Sequence, residues 1–283
     1  MKVGYLGPRG TFTELAARRL FSGDGVEFIP YRTIPDVLHD AESGRLDQGV
    51  VPIENSIEGS VALTLDTLVH EVNLPITGEC VLPVVHHLMA KPGTRLQEIE
   101  AVLSHPQALA QCRKSLERLL PRVEQRAATS TAEAAQEVAR SSRPIAALGT
   151  ELAASLYGLE ILQQGMQDSG ANATRFVSAG REARTRSGRD KTSVVFAFGT
   201  DKPGNLYRVL KEFAERDINL TKLESRPAKQ SLGEYLFLVD MEGHASDARV
   251  AEALEAVSTQ CSFFKLLGSY PRVDYPRPNG NGH

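Results

Sequence analysis

The sequence is poor in the residues that mark disulfide-rich, metal-binding and membrane proteins. Its three cysteines, Cys80, Cys112 and Cys261, lie far apart and form no CxxC pair, so neither a disulfide framework nor a zinc site is indicated. No apolar run approaches the ~18 residues that a membrane-spanning helix needs. The N-terminal stretch "MKVGYLGPRG" lacks the apolar core of a signal peptide. These absences favour a cytoplasmic protein that has no membrane partner.

The seven histidines are scattered, and the one adjacent pair, His86 and His87, is poorly placed for a metal. Neighbouring residues of a strand point to opposite faces, so the two rings are not expected to bind one ion. The formal net charge of −3 argues against a general nucleic-acid binder. With 283 residues, 41% of them hydrophobic and 24% charged, the chain is expected to form about two globular domains.

Short apolar segments alternate with helical patterns through the first 180 residues. The segments "KVGYLG", "VEFIPY", "QGVVPIE", "IEAVLSH" and "PIAALGT" are typical of strands, and helices are predicted at 13–21, 61–71, 106–120 and 131–140. This alternation predicts an α/β fold with a mostly parallel sheet. Ligands of such sheets bind beyond the carboxyl ends of the strands, where helix N-termini point inward.

The pattern changes after residue 180. The stretch "REARTRSGRDK" at 181–191 is rich in arginine and contains a Ser-Gly pair, which indicates a solvated linker. From 192 to 270 the order strand, helix, strand, strand, helix, strand predicts a ferredoxin-like βαββαβ domain. The remaining residues, 271–283, are rich in Pro, Gly and Asn and are expected to be disordered.

Four strand-to-helix junctions of the first domain carry uncharged hydrogen-bond donors. They are "GPRGTFTELAA", "VPIENSIEGSVALTL", "AVLSHPQALAQC" and "TSTAEAAQEVA". In the first and the last, Thr11 with Glu14 and Ser130 with Glu133 fit capping boxes, so helix capping alone explains each of them. Together the four junctions predict a cleft ringed by helix N-termini and hydroxyl groups, which suits a small ligand rich in carboxylates.

A fifth motif, "GANATRF" at 170–176, places Thr174, Arg175 and Phe176 at the start of a predicted strand. From the residues alone it is either a plain strand start or the working face of a site. In their order and spacing, "GPRGTFTELAA", "VPIENSIEGSV", "SHPQALAQC" and "NATRF" resemble prephenate dehydratase. The segments "PGNLYRVL" and "ESRP" resemble the regulatory ACT domain that follows it, so the resemblance extends from Val3 to about Tyr270.

The resemblance implies an α/β fold in which a bilobal, type II periplasmic-binding-protein-like catalytic domain over 1–180 precedes the ACT domain over 192–270. One lobe would comprise 1–80 and 160–180, and the other 81–159, with crossovers around 78–90 and 160–170. The substrate would lie in the cleft between the lobes. No helical stretch precedes Lys2, so the monofunctional form without a fused chorismate mutase domain is expected.

The implied reaction is the decarboxylating dehydration of prephenate to phenylpyruvate, CO2 and water in phenylalanine biosynthesis. Aromatisation drives it, so neither a cofactor nor a metal is expected. By resemblance Thr174 is the catalytic residue, which hydrogen-bonds to or protonates the leaving hydroxyl, Arg175 supplies fixed charge or holds the motif's shape, and Phe176 forms an apolar wall. The expected substrate-binding residues are Asn55, Ser56, Gly59, Ser60, Thr11, Ser104, His105, Gln107, Ser130 and Thr131.

The ACT domain implies that phenylalanine is an allosteric effector, bound where two chains pair edge to edge in a homodimer or homotetramer. The implied effector residues are Gly204, Asn205, Leu206, Asn219, Leu220, Glu224, Ser225, Arg226 and Pro227. The chain has Gly204-Asn205-Leu206-Tyr207 where the family usually has Gly-Ala-Leu-Val. This departure adds a polar group and a bulky ring to the expected effector site.

Two alternative functions stay open. Arogenate dehydratase acts on a substrate that carries an amino group in place of the keto group. A sensor of the same fold would bind an amino acid or another carboxylate without turnover, since fold alone proves no catalysis. The intact Thr174 favours an enzyme over a sensor, because a sensor would be free to lose that hydroxyl.

Overall fold

The structure, a computed structural model, describes residues 1–200, 202–227 and 235–274 of the chain. It contains three sheets, two within the first 180 residues and one in the C-terminal part. We call the parts built on these sheets lobe 1, lobe 2 and the C-terminal domain.

Lobe 1 is built on a six-stranded sheet. Its elements are β1 (Lys2–Leu6), α1 (Phe12–Leu20), β2 (Glu27–Tyr31), α2 (Ile34–Glu42), β3 (Gln48–Asn55), β4 (Gly59–Ser60), α3 (Ala62–Asp66), a π-helical turn (Thr67–Glu71), β5 (Ile76–Pro83) and β11 (Ala173–Ala179). The order is β2-β1-β3-β11-β5, with β4 paired to β3. The prediction of a mostly parallel sheet is wrong, because β11 returns from lobe 2 and inserts antiparallel between β3 and β5.

Lobe 2 is a five-stranded sheet covered by helices. Its elements are β6 (His87–Ala90), a 3-10 turn (Leu96–Glu98), β7 (Ala101–Ser104), α4 (Pro106–Gln111), α5 (Arg113–Leu119), β8 (Glu124–Ala127), α6 (Thr131–Arg140), β9 (Ile145–Gly149), α7 (Glu151–Tyr157) and β10 (Glu160–Gln163). The strand order is β10-β6-β9-β7-β8. Because β10 pairs with β6, residues 160–163 belong to lobe 2 and not, as the sequence suggested, to lobe 1.

Helix starts follow the capping signals of the sequence. The Thr11 side chain accepts a hydrogen bond from the Glu14 backbone N–H at 3.3 Å, and Ser130 caps α6 in the same way at 3.0 Å. The single helix predicted at 106–120 is instead two helices that meet at Cys112. The break is stabilised by Asp168, whose carboxylate accepts hydrogen bonds from the Lys114 and Ser115 backbone N–H groups in the first turn of α5.

The C-terminal domain has the predicted βαββαβ order. Its elements are β12 (Asp190–Ala197), α8 (Asn205–Ala214), β13 (Leu220–Pro227), β14 (Tyr235–Glu242), α9 (Ala248–Gln260) and β15 (Phe263–Pro271). The strands form an antiparallel sheet in the order β13-β14-β12-β15. Both helices pack on one face of it, where Val194 and Val239 lie in one buried cluster with Val209 and Val250.

The other face of this sheet packs directly on lobe 1. Val195, Leu238 and Leu267 lie in one buried cluster with Leu68 and Ile76 of lobe 1. The backbones approach so closely that a Cβ added to Gly268 (φ +146°) would lie 2.4 Å from the Ile76 carbonyl oxygen. Only glycine fits there, so lobe 1 and the C-terminal domain share a hydrophobic core.

The predicted linker and tail are partly ordered. β12 begins at Asp190, so the last two residues of the predicted linker, Asp190 and Lys191, are buried in a strand. Beyond the end of β15, the Val273 backbone N–H donates to the Glu79 carboxylate at 3.0 Å. The disorder expected for the chain end concerns 275–283, which lie outside the described residues.

Candidate active site

A cleft of about 290 Å³ lies between the two lobes. It is lined by Leu6, Thr11, Phe12, Thr13, Pro52, Asn55, Val84, His86, His105, Gln107, Ala108, Gln111, Thr129, Ser130, Thr131, Asn172, Thr174 and Phe176. Among these lining residues of the described chain, only His86 and His105 have ionisable side chains. The cleft is therefore nearly uncharged, with hydroxyl and amide groups set among apolar side chains.

The strand β11 contributes two side chains of the "TRF" motif to the cleft and turns the third away. Successive residues of a strand point to opposite faces. Thr174 and Phe176 line the cleft, whereas Arg175 points toward the C-terminal domain and bonds to Asp240. The motif is thus divided between two surfaces, and its cation does not face the cleft.

The Thr174 hydroxyl is held by an asparagine from the neighbouring strand. Asn55 Nδ2 donates to Thr174 Oγ1 at 2.9 Å and to Asn172 Oδ1 at 3.0 Å. Asn55 Oδ1 accepts hydrogen bonds from the backbone N–H groups of Ile57 and Glu58 at 3.0 and 3.2 Å. Asn55 therefore lines the cleft, but both ends of its side-chain amide are already hydrogen-bonded within the protein.

A second amide connects this group to lobe 2. The buried Asn172 side chain donates through Nδ2 to Gln111 Oε1 at 3.0 Å, and Gln111 lies at the end of α4. Sequence reasoning missed both residues, although they stand within "GANATRF" and "SHPQALAQC". Their positions in those motifs were the available signal, although an amide side chain, unlike a charged group, does not by itself indicate a catalytic role.

His86 is a further cleft residue that sequence reasoning missed. Its side chain is 3% exposed and its ring contacts Phe12 edge to face, with the ring centroids 5.6 Å apart. Burial lowers its pKa to about 4, an effect that Gln111 opposes, so the ring is neutral at pH 7. The Nδ1 atom of His86 is buried, and it has no hydrogen-bond partner among the residues that the structure describes.

The predicted helix starts do line the cleft. Thr11 from α1, Ser130 and Thr131 from α6, and His105 and Gln107 from α4 all contribute to its wall. An adjoining outer cavity of about 870 Å³ shares Thr11 and Ser130 and is also lined by Arg9 and Arg32. Cations thus stand at the outer cavity, while the inner cleft presents hydroxyl and amide groups.

Four of the predicted substrate-binding residues lie elsewhere. Ser104 is fully buried and donates to the Leu148 carbonyl at 2.8 Å. Ser56 bonds to the start of β11, where its Oγ accepts from the Ala173 backbone N–H at 3.0 Å. Gly59 and Ser60 form β4, and Ser60 Oγ bonds to Glu224 of the C-terminal domain. These positions argue against direct contact with a ligand in the cleft.

Arg175 is the centre of a buried polar network between lobe 1 and the C-terminal domain. Its guanidinium contacts Asp240 at 2.6 Å, Glu79 at 2.9 Å and Glu54 at 3.4 Å, and it donates to the Tyr270 hydroxyl at 2.8 Å. The network joins strands β3, β5 and β11 of lobe 1 to β14 and β15.

Two further groups of this network show the effect of burial. The Lys191 ammonium contacts Glu79 at 2.8 Å, and its pKa is lowered by burial and by Arg175, against the opposing effect of Glu79. Burial tends to raise the pKa of Asp240, but Arg175 and a hydrogen bond from Ser193 hold it below its usual value. Asp240 is therefore a buried carboxylate whose charge is stabilised by Arg175, with contributions from Ser193 and Lys191.

The predicted effector residues lie in two regions, one at the start of α8 and the other on β13 and the residue before it. Gly204 (φ +86°) precedes α8, and Asn205 donates to the Thr200 carbonyl at 2.8 Å. Leu206 and Leu220 pack on the core between the sheet and its helices, and Asn219 donates to Glu242 at 3.0 Å. On β13, Glu224 contacts Lys222 at 3.1 Å and Arg226 contacts Asp66 at 2.9 Å, whereas Ser225 and Pro227 are exposed. Within the described chain, no hydrogen bond joins the two regions.

The described residues contain no cluster of three or more His, Cys, Asp or Glu side chains able to hold a metal ion. In the same part of the chain, no helix combines the length and the apolar character needed to cross a bilayer.

Comparisons with known proteins agree with this arrangement. A family model described as prephenate dehydratase matches residues 3–184, and one described as ACT domain matches residues 193–259. A bifunctional chorismate mutase/prephenate dehydratase of Aquifex aeolicus is 44% identical over 273 residues, which are 96% of this chain and 74% of that protein. A prephenate dehydratase of Bacillus subtilis is 41% identical over 283 residues and covers 95% of this chain and 98% of that protein.

Solved structures show the same similarity over nearly the whole chain. Prephenate dehydratase of Arthrobacter aurescens in complex with L-Phe superposes with a TM-score of 0.88 at 37% identity, covering 96% of this chain and 90% of that one. GqqA, described as a novel type of quorum quenching acylase, superposes with a TM-score of 0.86 at 31% identity, covering 96% and 98%. Two differently described activities thus share this fold.

Proposed function

The chain belongs to the prephenate dehydratase family, and from this premise we propose that it converts prephenate to phenylpyruvate, CO2 and water under the control of phenylalanine. One observation carries the proposal: Thr174 lies in the cleft between the lobes with its oxygen held by Asn55 at 2.9 Å. An enzyme that must assist departure of a ring hydroxyl needs a fixed hydrogen-bond donor at such a place.

The reaction sets clear demands on the protein. The bond to the ring carboxylate breaks as CO2 departs, its electron pair completes the aromatic ring, and the bond to the ring hydroxyl breaks. The departing oxygen takes up one proton and leaves as water, so prephenate dianion plus one proton gives phenylpyruvate anion, CO2 and water. A threonine hydroxyl is a very weak acid, so we assign Thr174 a hydrogen bond to the departing oxygen rather than full proton transfer.

Binding of the substrate dianion falls to uncharged donors. The starts of α1 and α6, with Thr11, Ser130 and Thr131, face the cleft and provide free backbone N–H groups and partial positive charge. We assign them to the pyruvyl carboxylate, because strong donors at the ring carboxylate would hinder its loss as CO2. Phe176 provides the apolar wall beside the ring.

The lining of the cleft favours prephenate over arogenate. Arogenate carries an ammonium group where prephenate has a keto group, and an ammonium group out of water calls for a carboxylate. No Asp or Glu is among the described residues that line the cleft. Glu133 lines the outer cavity only, and its carboxylate accepts from the Thr129 backbone N–H at 3.2 Å.

We further propose a division of labour along the chain, with catalysis in 1–180 and phenylalanine binding in the ACT domain at 192–270. The strand β13, which carries Leu220 and Glu224 to Pro227, is an edge strand of the C-terminal sheet. An edge strand can pair with a second chain, and this supports an effector site completed by that chain in a homodimer or homotetramer. The effector is an amino acid consumed by protein synthesis, and this supports a cytoplasmic location.

A second candidate function is an acylase activity, favoured by the similarity to GqqA over 96% of the chain. An acylase must activate a nucleophile on a carbonyl carbon, usually with an adjacent base that is oriented by a third group. Here the hydroxyl of Thr174 is bonded to an amide, Asn55, which is no base. The geometry therefore supports the dehydratase more strongly.

The test is the formation of phenylpyruvate from prephenate by the purified protein, with and without phenylalanine. Turnover that phenylalanine changes is expected. Turnover indifferent to phenylalanine would contradict the regulatory half only. Turnover of arogenate or release of the acyl group from an N-acylated signal molecule, without turnover of prephenate, would refute the proposal in favour of one of the alternatives.

A further inference from the structure

The amide side chains beside Thr174 form a chain of hydrogen bonds whose direction is fixed at one end. A backbone N–H group can only donate, and two of them, from Ile57 and Glu58, point at Asn55 Oδ1 at 3.0 and 3.2 Å. The oxygen of the Asn55 amide is therefore on that side. Its nitrogen must face Thr174 and Asn172, at 2.9 and 3.0 Å.

The direction then passes from one amide to the next. Asn55 Nδ2 has two hydrogens, and Thr174 Oγ1 and Asn172 Oδ1 accept one each. Because its oxygen is an acceptor, Asn172 must present its nitrogen to lobe 2, where it donates to Gln111 Oε1 at 3.0 Å. The assignment is consistent at every step, and the Ser56 hydroxyl at 3.3 Å from Asn172 Oδ1 is also placed to donate.

This order has a direct consequence for the Thr174 hydroxyl. Its oxygen already accepts a hydrogen bond from Asn55, so its single proton is turned away from Asn55. No hydrogen bond donated by Thr174 occurs in the parts of the chain that the structure describes, and the residue lines the cleft. The proton is left for a ligand in the cleft.

We propose that Asn55 and Asn172 are positioning residues that fix Thr174 as a hydrogen-bond donor toward the departing oxygen of the substrate. This inference rests on the proposed dehydratase function and deepens it. Asn55, expected from the sequence to bind substrate, acts instead through Thr174. The backbone N–H groups of Ile57 and Glu58 set the direction, because they alone cannot reverse their role.

Replacement of Asn55 by aspartate tests the direction with almost no change of shape. In Asn55→Asp one carboxylate oxygen keeps the two backbone hydrogen bonds, but the other can only accept. The Thr174 hydroxyl is then expected to turn and donate to it, so that its proton no longer points into the cleft. Loss of one such donor lowers kcat by about 100- to 1,000-fold in other enzymes, and a decrease of about 100-fold or more is expected here.

Asn172→Asp is the matched control. It introduces the same negative charge at the residue that is hydrogen-bonded to Asn55. An aspartate at position 172 still accepts the hydrogen bond from Asn55, and the Gln111 amide can turn so that it donates to the new carboxylate. The direction of the hydrogen bond at Thr174 is unchanged. The factor by which kcat falls is therefore expected to be at least about tenfold smaller than in Asn55→Asp. Similar decreases of kcat in the two variants would overturn the proposal, since charge alone would then explain both.

The pH profile separates positioning from a merely structural role. Protonation of the carboxylate introduced at position 55 creates an O–H group that can again donate to Thr174, so kcat of Asn55→Asp is expected to recover as the pH is lowered. The neighbouring ionisable groups are His86 and His105 in the cleft, Glu58 in the adjoining loop, and Glu54 with Arg175 on the opposite face. Asn172→Asp and the unmodified protein share these groups and are expected to show no such recovery. Absence of recovery in a folded Asn55→Asp would contradict the proposal.

Two further measurements keep the inference testable if Asn55→Asp does not fold or prephenate is not the substrate. Asn55→Ala adds no charge and is expected to lower kcat by about tenfold or more without recovery at low pH, and an unchanged kcat would overturn the proposal. Side-chain amide NMR of the unmodified protein reads the direction without turnover. Both Nδ2 protons of Asn55 are expected to be protected from exchange, and rapid exchange of either would refute the assignment.

Discussion

Replacement of Arg175 by alanine is expected to lower the free energy of unfolding by about 3–5 kcal/mol, the usual cost of removing one partner from a buried ion pair. The guanidinium is 4% exposed and contacts Asp240 at 2.6 Å and Glu79 at 2.9 Å. In its absence Glu79 keeps Lys191 at 2.8 Å, whereas Asp240 loses its contact at 2.6 Å and keeps the Ser193 hydroxyl at 2.5 Å and the electrostatic effect of Lys191. The weakened charge compensation of the buried Asp240 carboxylate is therefore expected to be the main source of the loss.

Thermal and urea denaturation followed by circular dichroism would measure the effect. At about 2–4 °C per kcal/mol for a domain of about 150–250 residues, the expected decrease of Tm is roughly 6–20 °C. Arg113→Ala is the matched control, because its partner Glu117 and Arg113 itself are 58% and 57% exposed, and such pairs contribute about 0–1 kcal/mol. If Arg175→Ala were no less stable than Arg113→Ala, the network would not hold the domains together as inferred.

Three further predictions concern the cleft and its surroundings. In assays of phenylpyruvate formation, Thr174→Ala is expected to lower kcat by about 100-fold or more, whereas Thr174→Ser is expected to keep most of the activity. An alanine variant of normal rate would exclude Thr174 from catalysis. Ser60→Ala is expected to keep KM for prephenate within about twofold of the value of the unmodified protein, because Ser60 bonds to Glu224 at the domain interface and not to the cleft. A large rise of KM would instead indicate that Ser60 contacts the substrate. His86 has a pKa of about 4 in the folded protein against about 6.5 when unfolded, so the unfolded state binds more protons between these values and stability falls as the pH drops from about 6.5 to about 4. His86→Gln is expected to remove about 3 kcal/mol of that fall in urea denaturation at a series of pH values, and an unchanged pH dependence would show that the buried ring is not its source.

Local signals in the sequence predict much of the fold and part of the cleft. The capping pairs Thr11–Glu14 and Ser130–Glu133 each lie within one helical turn, so the helix starts that line the cleft can be read from short segments. The alternation of strands and helices likewise predicts the βαββαβ order of the C-terminal domain. The resemblance of "NATRF" to the family motif identifies Thr174 as the candidate catalytic residue, and this role stays a prediction.

What the sequence could not supply are contacts between distant segments. Asn172 and Gln111 are 61 residues apart, and Ser60 and Glu224 are 164 residues apart, so no period or cap links them. The direction of Arg175 follows from strand alternation, but its partner Asp240 is 65 residues away. The antiparallel insertion of β11 was missed for the same reason, because an isolated strand pattern does not state which neighbours it will have.

The close approach of β15 to β5 at Gly268 means that lobe 1 and the C-terminal domain are not expected to be separable modules. A fragment that ended near residue 184 would expose an apolar surface around Leu68 and Ile76 and leave Glu79 and Arg175 without Lys191 and Asp240. Any exchange of the C-terminal domain between relatives would have to transplant this surface together with the domain. The two parts are therefore expected to evolve together, since a sequence change on one side of the interface requires a matching change on the other.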